Sequence, residues 1–315
     1  MIVVTNRRFD GEKFGHRFNT LGPMHLRIAD VYERHGDWQT TVYPEEVEGK
    51  RASEWMFLHL QRRMREECKD LLIYVHGFKT DPADVYARMV KLERMFGVIC
   101  VAFSWPSNGD VLDYYDDKDE ARLSGPALAR MLAKIGEYMA IYDKPEMVCH
   151  RRISLAVHSM GAWVLQQAVY SEVCGGVPWL DNVILVQPDV NYDGHREWVE
   201  KLNPRGNVYI TQNEHDYALD LSQRKPGGLQ RARLGKVVRR EGKAANAIYV
   251  DFTGVKPKDG HSFFGDAESI NQGCVQPVLF DLFHGQRLDE NTVVLDPRTN
   301  VLRVRRDRPA KGTAA

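Results

Sequence analysis

The stretch Ile153-Ser154-Leu155-Ala156-Val157-His158-Ser159-Met160-Gly161 decides how this chain is read. Its first half is apolar and β-prone, and Ala162 to Ala168 continue it in helix-forming residues. A serine between a strand and a helix, with glycine two positions on, predicts a nucleophile elbow. Such a turn lifts the hydroxyl above the sheet edge and aims the next backbone N–H at a developing oxyanion. The usual pattern also has glycine two positions before the serine, where this chain has Val157, a β-branched residue expected to tighten the turn. The bland alternative is a strand-to-helix turn without chemistry, so the assignment needs support from the flanking sequence.

Outward from the elbow, strands and helices alternate. Leu71-Leu72-Ile73-Tyr74-Val75 is a continuous apolar strand ending in His76-Gly77-Phe78, and a helix pattern follows from Pro82 to Phe96. Val98 to Phe103 is a second strand, closed by Ser104-Trp105-Pro106. A polar loop then leads to a helix over about Asp119 to Tyr142. Beyond the elbow, Asn182–Val186, Asn207–Thr211 and Ala247–Phe252 read as further strands. Continuous apolar strands separated by helices predict an α/β fold, a mostly parallel sheet covered on both faces. Ligands of such sheets bind beyond the carboxyl ends of the strands, so the chemistry is expected just after each strand.

Residues 1–70 read as an N-terminal elaboration of the same domain, with a strand over Leu26 to Tyr32 and an amphipathic helix over Arg51 to Cys68. Residues 71–290 read as the core, and 291–315 as a hairpin, Val293-Val294-Leu295 with Val301 to Val304, followed by a basic, disordered tail from Arg305.

The 315 residues carry zero net charge, which gives no overall bias toward nucleic acid. The N-terminal apolar run is too short for a signal peptide and no segment reaches the length of a membrane span. Five widely spaced cysteines without a C-x-x-C pair read as reduced, small core residues and favour a cytoplasmic protein. No phosphate loop or metal-ligand spacing points to a cofactor. The oligomeric state is not legible.

Three strand ends supply a serine, an acid and a histidine in hydrolase order. Ser159 is the nucleophile. Asp216, in Asn213-Glu214-His215-Asp216, is the acid of choice, with Asp189 of Gln187-Pro188-Asp189 as the alternative. His261, on the loop after the sixth middle strand, is the general base. The oxyanion donors are the N–H groups of Met160 and Phe78, with Lys79 as runner-up to Phe78. His76 reads as a structural histidine holding its loop, and His158 as a packing residue that points the other way along its strand. Trp105, Tyr114 and Tyr115 are expected either to line an acyl pocket or to close the core.

In sequence order these blocks resemble a bacterial α/β-hydrolase domain of unknown function. The resemblance runs from about Leu71 to Phe264. It rests on Tyr74-Val75-His76-Gly77-Phe78, Phe103-Ser104-Trp105-Pro106-Ser107-Asn108-Gly109, Tyr114-Tyr115-Asp116 and His158-Ser159-Met160-Gly161. It continues through Gln187-Pro188-Asp189-Val190, Asp216-Tyr217-Ala218-Leu219, Arg233-Leu234-Gly235 and Gly260-His261-Ser262. It implies an α/β-hydrolase fold with Ser159, Asp216 and His261 as the triad, and no particular substrate.

The reaction expected is hydrolysis of a small-molecule or lipid carboxylic ester, or a thioester, through an acyl-enzyme. A non-catalytic binding scaffold and an acyltransferase are the competing readings. A basic segment, Arg224 to Lys243, reads as a solvated loop or as a recruiter of anionic esters, with the acidic run Asp110, Asp113, Asp116, Asp117, Asp119 and Glu120 as its counterpart.

Overall fold

The computed structural model describes residues 1–107, 114–142, 151–171, 176–224, 231–255 and 260–307. Eleven strands form one sheet. In chain order they are β1 (Ile2–Thr5), β2 (Arg27–Arg34), β3 (Asp37–Val42), β4 (Leu71–Val75), β5 (Ile99–Ser104), β6 (Ile153–His158), β7 (Asn182–Val186), β8 (Asn207–Gln212), β9 (Ala247–Asp251), β10 (Val293–Asp296) and β11 (Val301–Val304). Their spatial order is β10-β11-β9-β8-β7-β6-β4-β5-β1-β2-β3. Every pair from β11 to β1 is parallel, and the two edges end in antiparallel partners, β10 on one side and β2 with β3 on the other. The sheet and its coverage are those of the α/β-hydrolase fold that the sequence led one to expect.

Six longer helices accompany the sheet: α1 (Ala52–Glu66), α2 (Pro82–Phe96), α3 (Tyr114–Ile141), α4 (Gly161–Tyr170), α5 (Tyr217–Arg224) and α6 (Val275–Phe283). Strand residues alternate between two apolar layers. Ile73, Val75, Leu155, Val157 and Val101 join one core with α1, α3 and α4. Leu72, Tyr74, Ala156, Cys100 and Ala102 join the other with α2 and α6. A sheet buried on both faces needs apolar side chains at every position, which is why the strands read as unbroken hydrophobic runs.

Helix α2 shows how local signals set an element. Asp81 and Asp84 form a capping box, Pro82 opens the first turn, and Gly97 closes the helix at φ 68°. Val85, Met89, Leu92 and Phe96 recur at helical spacing and are buried, leaving the stripe Asp84, Ala87, Arg88 and Lys91 on another face.

The structure departs from the sequence reading in several places. Helix α3 begins at Tyr114, five residues before the expected start. Strands β1 and β3 were not foreseen. The tail expected from Arg305 is anchored at its start: the Arg305 N–H donates to the Thr292 carbonyl at 2.9 Å, and its own carbonyl accepts from Cys274 N–H at 3.0 Å. Residues 308–315 lie outside the described residues, as do Cys149, Cys174, Asp110 and Asp113. Cys100 and Cys274 are buried as expected, whereas Cys68 is exposed.

Candidate active site

The turn after β6 is an elbow in its backbone. Ser159 has φ 52°, a left-handed conformation that a side-chain-bearing residue adopts only where surrounding contacts hold it. Three hydrogen bonds do so. Ser159 N–H donates to the Val186 carbonyl at 3.0 Å, and the Ser159 carbonyl accepts from Asp189 N–H at 3.0 Å and Ala162 N–H at 3.1 Å. The two glycines are required by close approach. A Cβ on Gly161 would lie 2.7 Å from the His76 carbonyl, and one on Gly77 would lie 2.8 Å from Ser159 Cβ. Val157 has its own place inside β6, in register with Val75 and Leu185 and buried in the α4-side core, so its branched side chain fills the core and does not crowd the turn.

The His261 loop is pinned to the loop after β8. Asn213 Nδ2 donates to the Gly260 carbonyl at 3.1 Å, and Gly260, at φ 64°, lies on the His215 backbone. His261 Nδ1 then meets Asp216 Oδ2 at 2.7 Å. The Asp216 carboxyl is fully buried and also accepts from Leu219 N–H at 3.0 Å. Burial pushes its pKa up, against the lowering effect of the His261 bond.

Ser159 and His261 line one cavity of about 460 Å³. Among the described residues no hydrogen bond joins the Ser159 hydroxyl to His261. The histidine–acid bond is formed and the serine–histidine bond is not.

Asp189 has other partners. Tyr114 Oη donates to its Oδ2 at 2.9 Å, Ser222 Oγ donates to its Oδ1 at 2.5 Å, and the buried Arg233 pairs with Oδ1 at 3.2 Å. Its peptide holds the elbow, and its carbonyl accepts from Trp163 Nε1 at 2.7 Å. Asp189 is thus engaged by Tyr114, Ser222 and Arg233, while the His261 Nδ1 is on Asp216.

The loop after β4 is held by His76. Its Nδ1–H donates to the Gly77 carbonyl at 2.8 Å, which leaves Nε2 to accept from Trp105 N–H at 3.1 Å; the tautomer follows from this network. Trp105 Nε1 donates to the His76 carbonyl at 2.9 Å, and the two rings stack at 4.9 Å. Burial first, then the Arg7 charge, holds His76 down to about 3, so the ring is a neutral structural member. The Lys79 N–H is directed at Asp117 Oδ2 at 3.4 Å.

Of the two roles expected for Trp105, Tyr114 and Tyr115, Trp105 takes the core-closing one, and Tyr115 is corrected on both. Trp105 is 0% exposed and lies behind His76, outside the cavity wall, because its indole N–H is spent on the loop. Tyr115 is 44% exposed and does not line the cavity, although its ring packs edge-on against Tyr114. Tyr114 does line it, beside Phe78 at a ring distance of 5.4 Å.

His158 also lines the cavity, which its reading as a packing residue missed. Strand alternation puts it on the α2 face with Ala156, and the cavity reaches over that face to Asp84, Ala87, Arg88 and Lys91. His158 Nε2 donates to the His261 carbonyl at 3.2 Å, and its ring lies 4.7 Å from that of His261 and 4.8 Å from Phe264. Burial first, then the charges of His261 and Arg88, holds its pKa well below the usual histidine value.

Four of the eight cations of the basic segment are engaged within the fold. Arg233 pairs with Asp189, Lys236 with Asp220 at 3.0 Å, Lys243 Nζ donates to the Thr299 and Asn300 carbonyls, and Arg239 lies over the Tyr192 ring. Its residues 225–230 lie outside the described residues. On the acidic side, Asp117 is buried and accepts from Ser107 Oγ at 2.5 Å, and Asp119 pairs with Arg122. Among the described residues no helix is long and apolar enough to cross a membrane.

Residues 50–275 match the family described as alpha/beta hydrolase of unknown function (DUF900). The chain is 42% identical over 65 residues to an uncharacterized protein of a Nostoc species. That match covers 21% of this chain and only 15% of the relative's length. Two solved structures of an esterase from the archaeon Pyrobaculum calidifontis share 14% identity with it, at a TM-score of 0.33. They cover 64% and 62% of this chain, and 72% and 70% of their own.

Proposed function

We propose a serine-hydrolase activity for this chain, from the premise that it belongs to the alpha/beta hydrolase family of unknown function. The observation that carries the proposal is the left-handed Ser159, at a strand-to-helix elbow, sharing one cavity with a histidine bonded to a buried carboxylate.

In this reading Ser159 Oγ attacks the carbonyl carbon of a carboxylic ester and His261 Nε2 takes its proton. Asp216 holds the ring in the tautomer whose Nε2 carries the lone pair, and stabilises the imidazolium that forms. The oxyanion is met by the N–H of Met160, which leads α4, and by that of Phe78; Lys79 is the weaker candidate because its N–H is directed at Asp117. The C–O bond breaks, the alcohol leaves with the proton from His261, and a water deprotonated by the same ring cleaves the acyl-serine to free acid and serine.

A fluorophosphonate probe, read by intact mass, tests the nucleophile. A stoichiometric adduct on the wild type that is lost in Ser159→Ala is expected. A folded wild-type protein that takes no adduct would overturn the reading in favour of a binding scaffold. Product analysis with an added alcohol separates hydrolysis from acyl transfer.

A further inference from the structure

We infer that the Ser159 cavity takes an ester bearing a negatively charged group, and that Arg88 is the residue that recognises this charge; the inference rests on the hydrolase reading above. The cavity wall is chemically two-sided. Phe78, Tyr114, Leu219 and Leu221 make one side apolar. The other side is the stripe of α2, where Arg88 and Lys91 stand with Lys79 of the preceding loop.

The carboxylates on this wall do not cancel those cations. Asp189 is already neutralised by Arg233 at 3.2 Å. Asp84 lies one helical turn from Arg88, yet its carboxylate is turned to the Asp81 N–H at the helix start, at 3.4 Å. Asp216 does not line this wall and is engaged by His261. Among the described residues Arg88 has no ion-pair partner, and its Nη1 is buried without a hydrogen bond. The buried Nη1 is the anchored end of the side chain; the half-buried guanidinium lines the cavity without a carboxylate partner, and a ligand oxyanion is the group whose geometry matches it.

Arg88 is also held in place. Its guanidinium carbon lies 5.0 Å over the Phe264 ring, and Nη1 occupies the space where a side chain at Gly265 would stand, 1.4 Å from a Cβ built there. Phe264 and Gly265 come three and four residues after His261, so the cation is fixed against the segment that carries the proposed base.

The test compares kcat/KM within two ester pairs. Para-nitrophenyl hemiglutarate against para-nitrophenyl pentanoate exchanges a methyl for a carboxylate on the acyl side. Meta-acetoxybenzoate against phenyl acetate adds the carboxylate on the leaving side. The wild type is expected to favour the anionic member of one pair by at least about tenfold. Arg88→Met should abolish that preference, and Arg88→Lys, which keeps the charge, should retain part of it. No preference in either pair, or one that survives Arg88→Met, overturns the inference while turnover of the neutral esters leaves the hydrolase reading standing. If none of these esters is turned over, the fluorophosphonate adduct alone decides the hydrolase reading. Calorimetric titration with monomethyl glutarate against dimethyl glutarate then decides the site: anion-selective binding lost in Arg88→Met supports it, and equal or absent binding overturns it.

Discussion

His158 Nε2 donates to the backbone carbonyl of His261 across 3.2 Å, so the residue before the proposed nucleophile holds the residue proposed as its base. Loss of this bond frees the main chain at His261 while leaving the Asp216 contact to the side chain. His158→Ala is expected to lower kcat by about ten- to a hundredfold, the scale on which misplacing a catalytic group acts. A merely structural role would scale activity at all pH values alike. A positioning role should also move the acidic limb of the kcat/KM profile, and an unmoved limb would speak against it.

Asp216 and Asp189 are separable by what each variant damages. Asp216→Asn keeps an acceptor for Leu219 N–H but removes the charge facing His261. It is expected to cost at least about a hundredfold in kcat, with little change in thermal midpoint. Asp189→Asn leaves the buried Arg233 without its counter-charge and is expected to cost about 3–5 kcal/mol of stability. Urea unfolding and ester kinetics on the same two proteins check both halves, and the reverse assignment of losses would exchange the two roles.

Sequence patterns reveal what is local and miss what is assembled. Helix α2 is legible to the residue because Asp81, Pro82 and Gly97 act within one turn of its ends. Strand β1 is only four residues long and gains its place by pairing with residues 101–104, a relation no local window contains. Ser159, Asp216 and His261 are legible because each follows a strand end, where a parallel sheet presents its ligands. Trp105 follows a strand end too, yet its indole serves His76, 29 positions earlier, and that partnership has no sequence signature. Arg88 reads as one more polar residue on the outer stripe of a helix. Only the return of the chain at Phe264 and Gly265 turns that stripe into a cavity wall.

The elbow tolerates little change in its small residues. Gly77→Ala would drive a Cβ to 2.8 Å from Ser159 Cβ and 3.1 Å from His158 Nδ1, so the oxyanion-side loop must retreat from the serine. A fall in kcat of more than about tenfold is expected, with KM less affected. Val157→Gly restores the more usual elbow pattern, but the valine is packed in the sheet core. It is expected to destabilise by about 2–4 kcal/mol through the lost side chain and the freer backbone. Denaturant titration would refute this view of Val157 if the variant were as stable as the wild type.

Acid should weaken the fold through buried histidines, His76, His158 and His195 among them. Burial, reinforced by the Arg7 charge, holds His76 down to about 3, and burial with the charges of His261 and Arg88 holds His158 well below the usual value. In the unfolded chain both titrate near about 6.5. Between the two values the unfolded chain binds the proton and the native one does not, so stability falls as pH falls below about 6.5. Each histidine adds a slope that approaches about 1.4 kcal/mol per pH unit. Asp216 has the opposite sign, since burial raises its pKa and the native state takes its proton first, in a window that opens upward from the usual carboxylate value. His284 is also opposite: burial lowers it, but the Asp70 bond at 2.7 Å prevails, and its contribution is lost as pH rises through the raised value. Urea unfolding between pH of about 6.5 and about 4.5 should therefore show a steep loss in the wild type. His76→Gln should flatten that slope by up to about 1.4 kcal/mol per unit, whatever its effect at neutral pH. A slope unchanged in the variant would mean that His76 is protonated in the native state, and that its bonds to Gly77 and Trp105 are arranged differently.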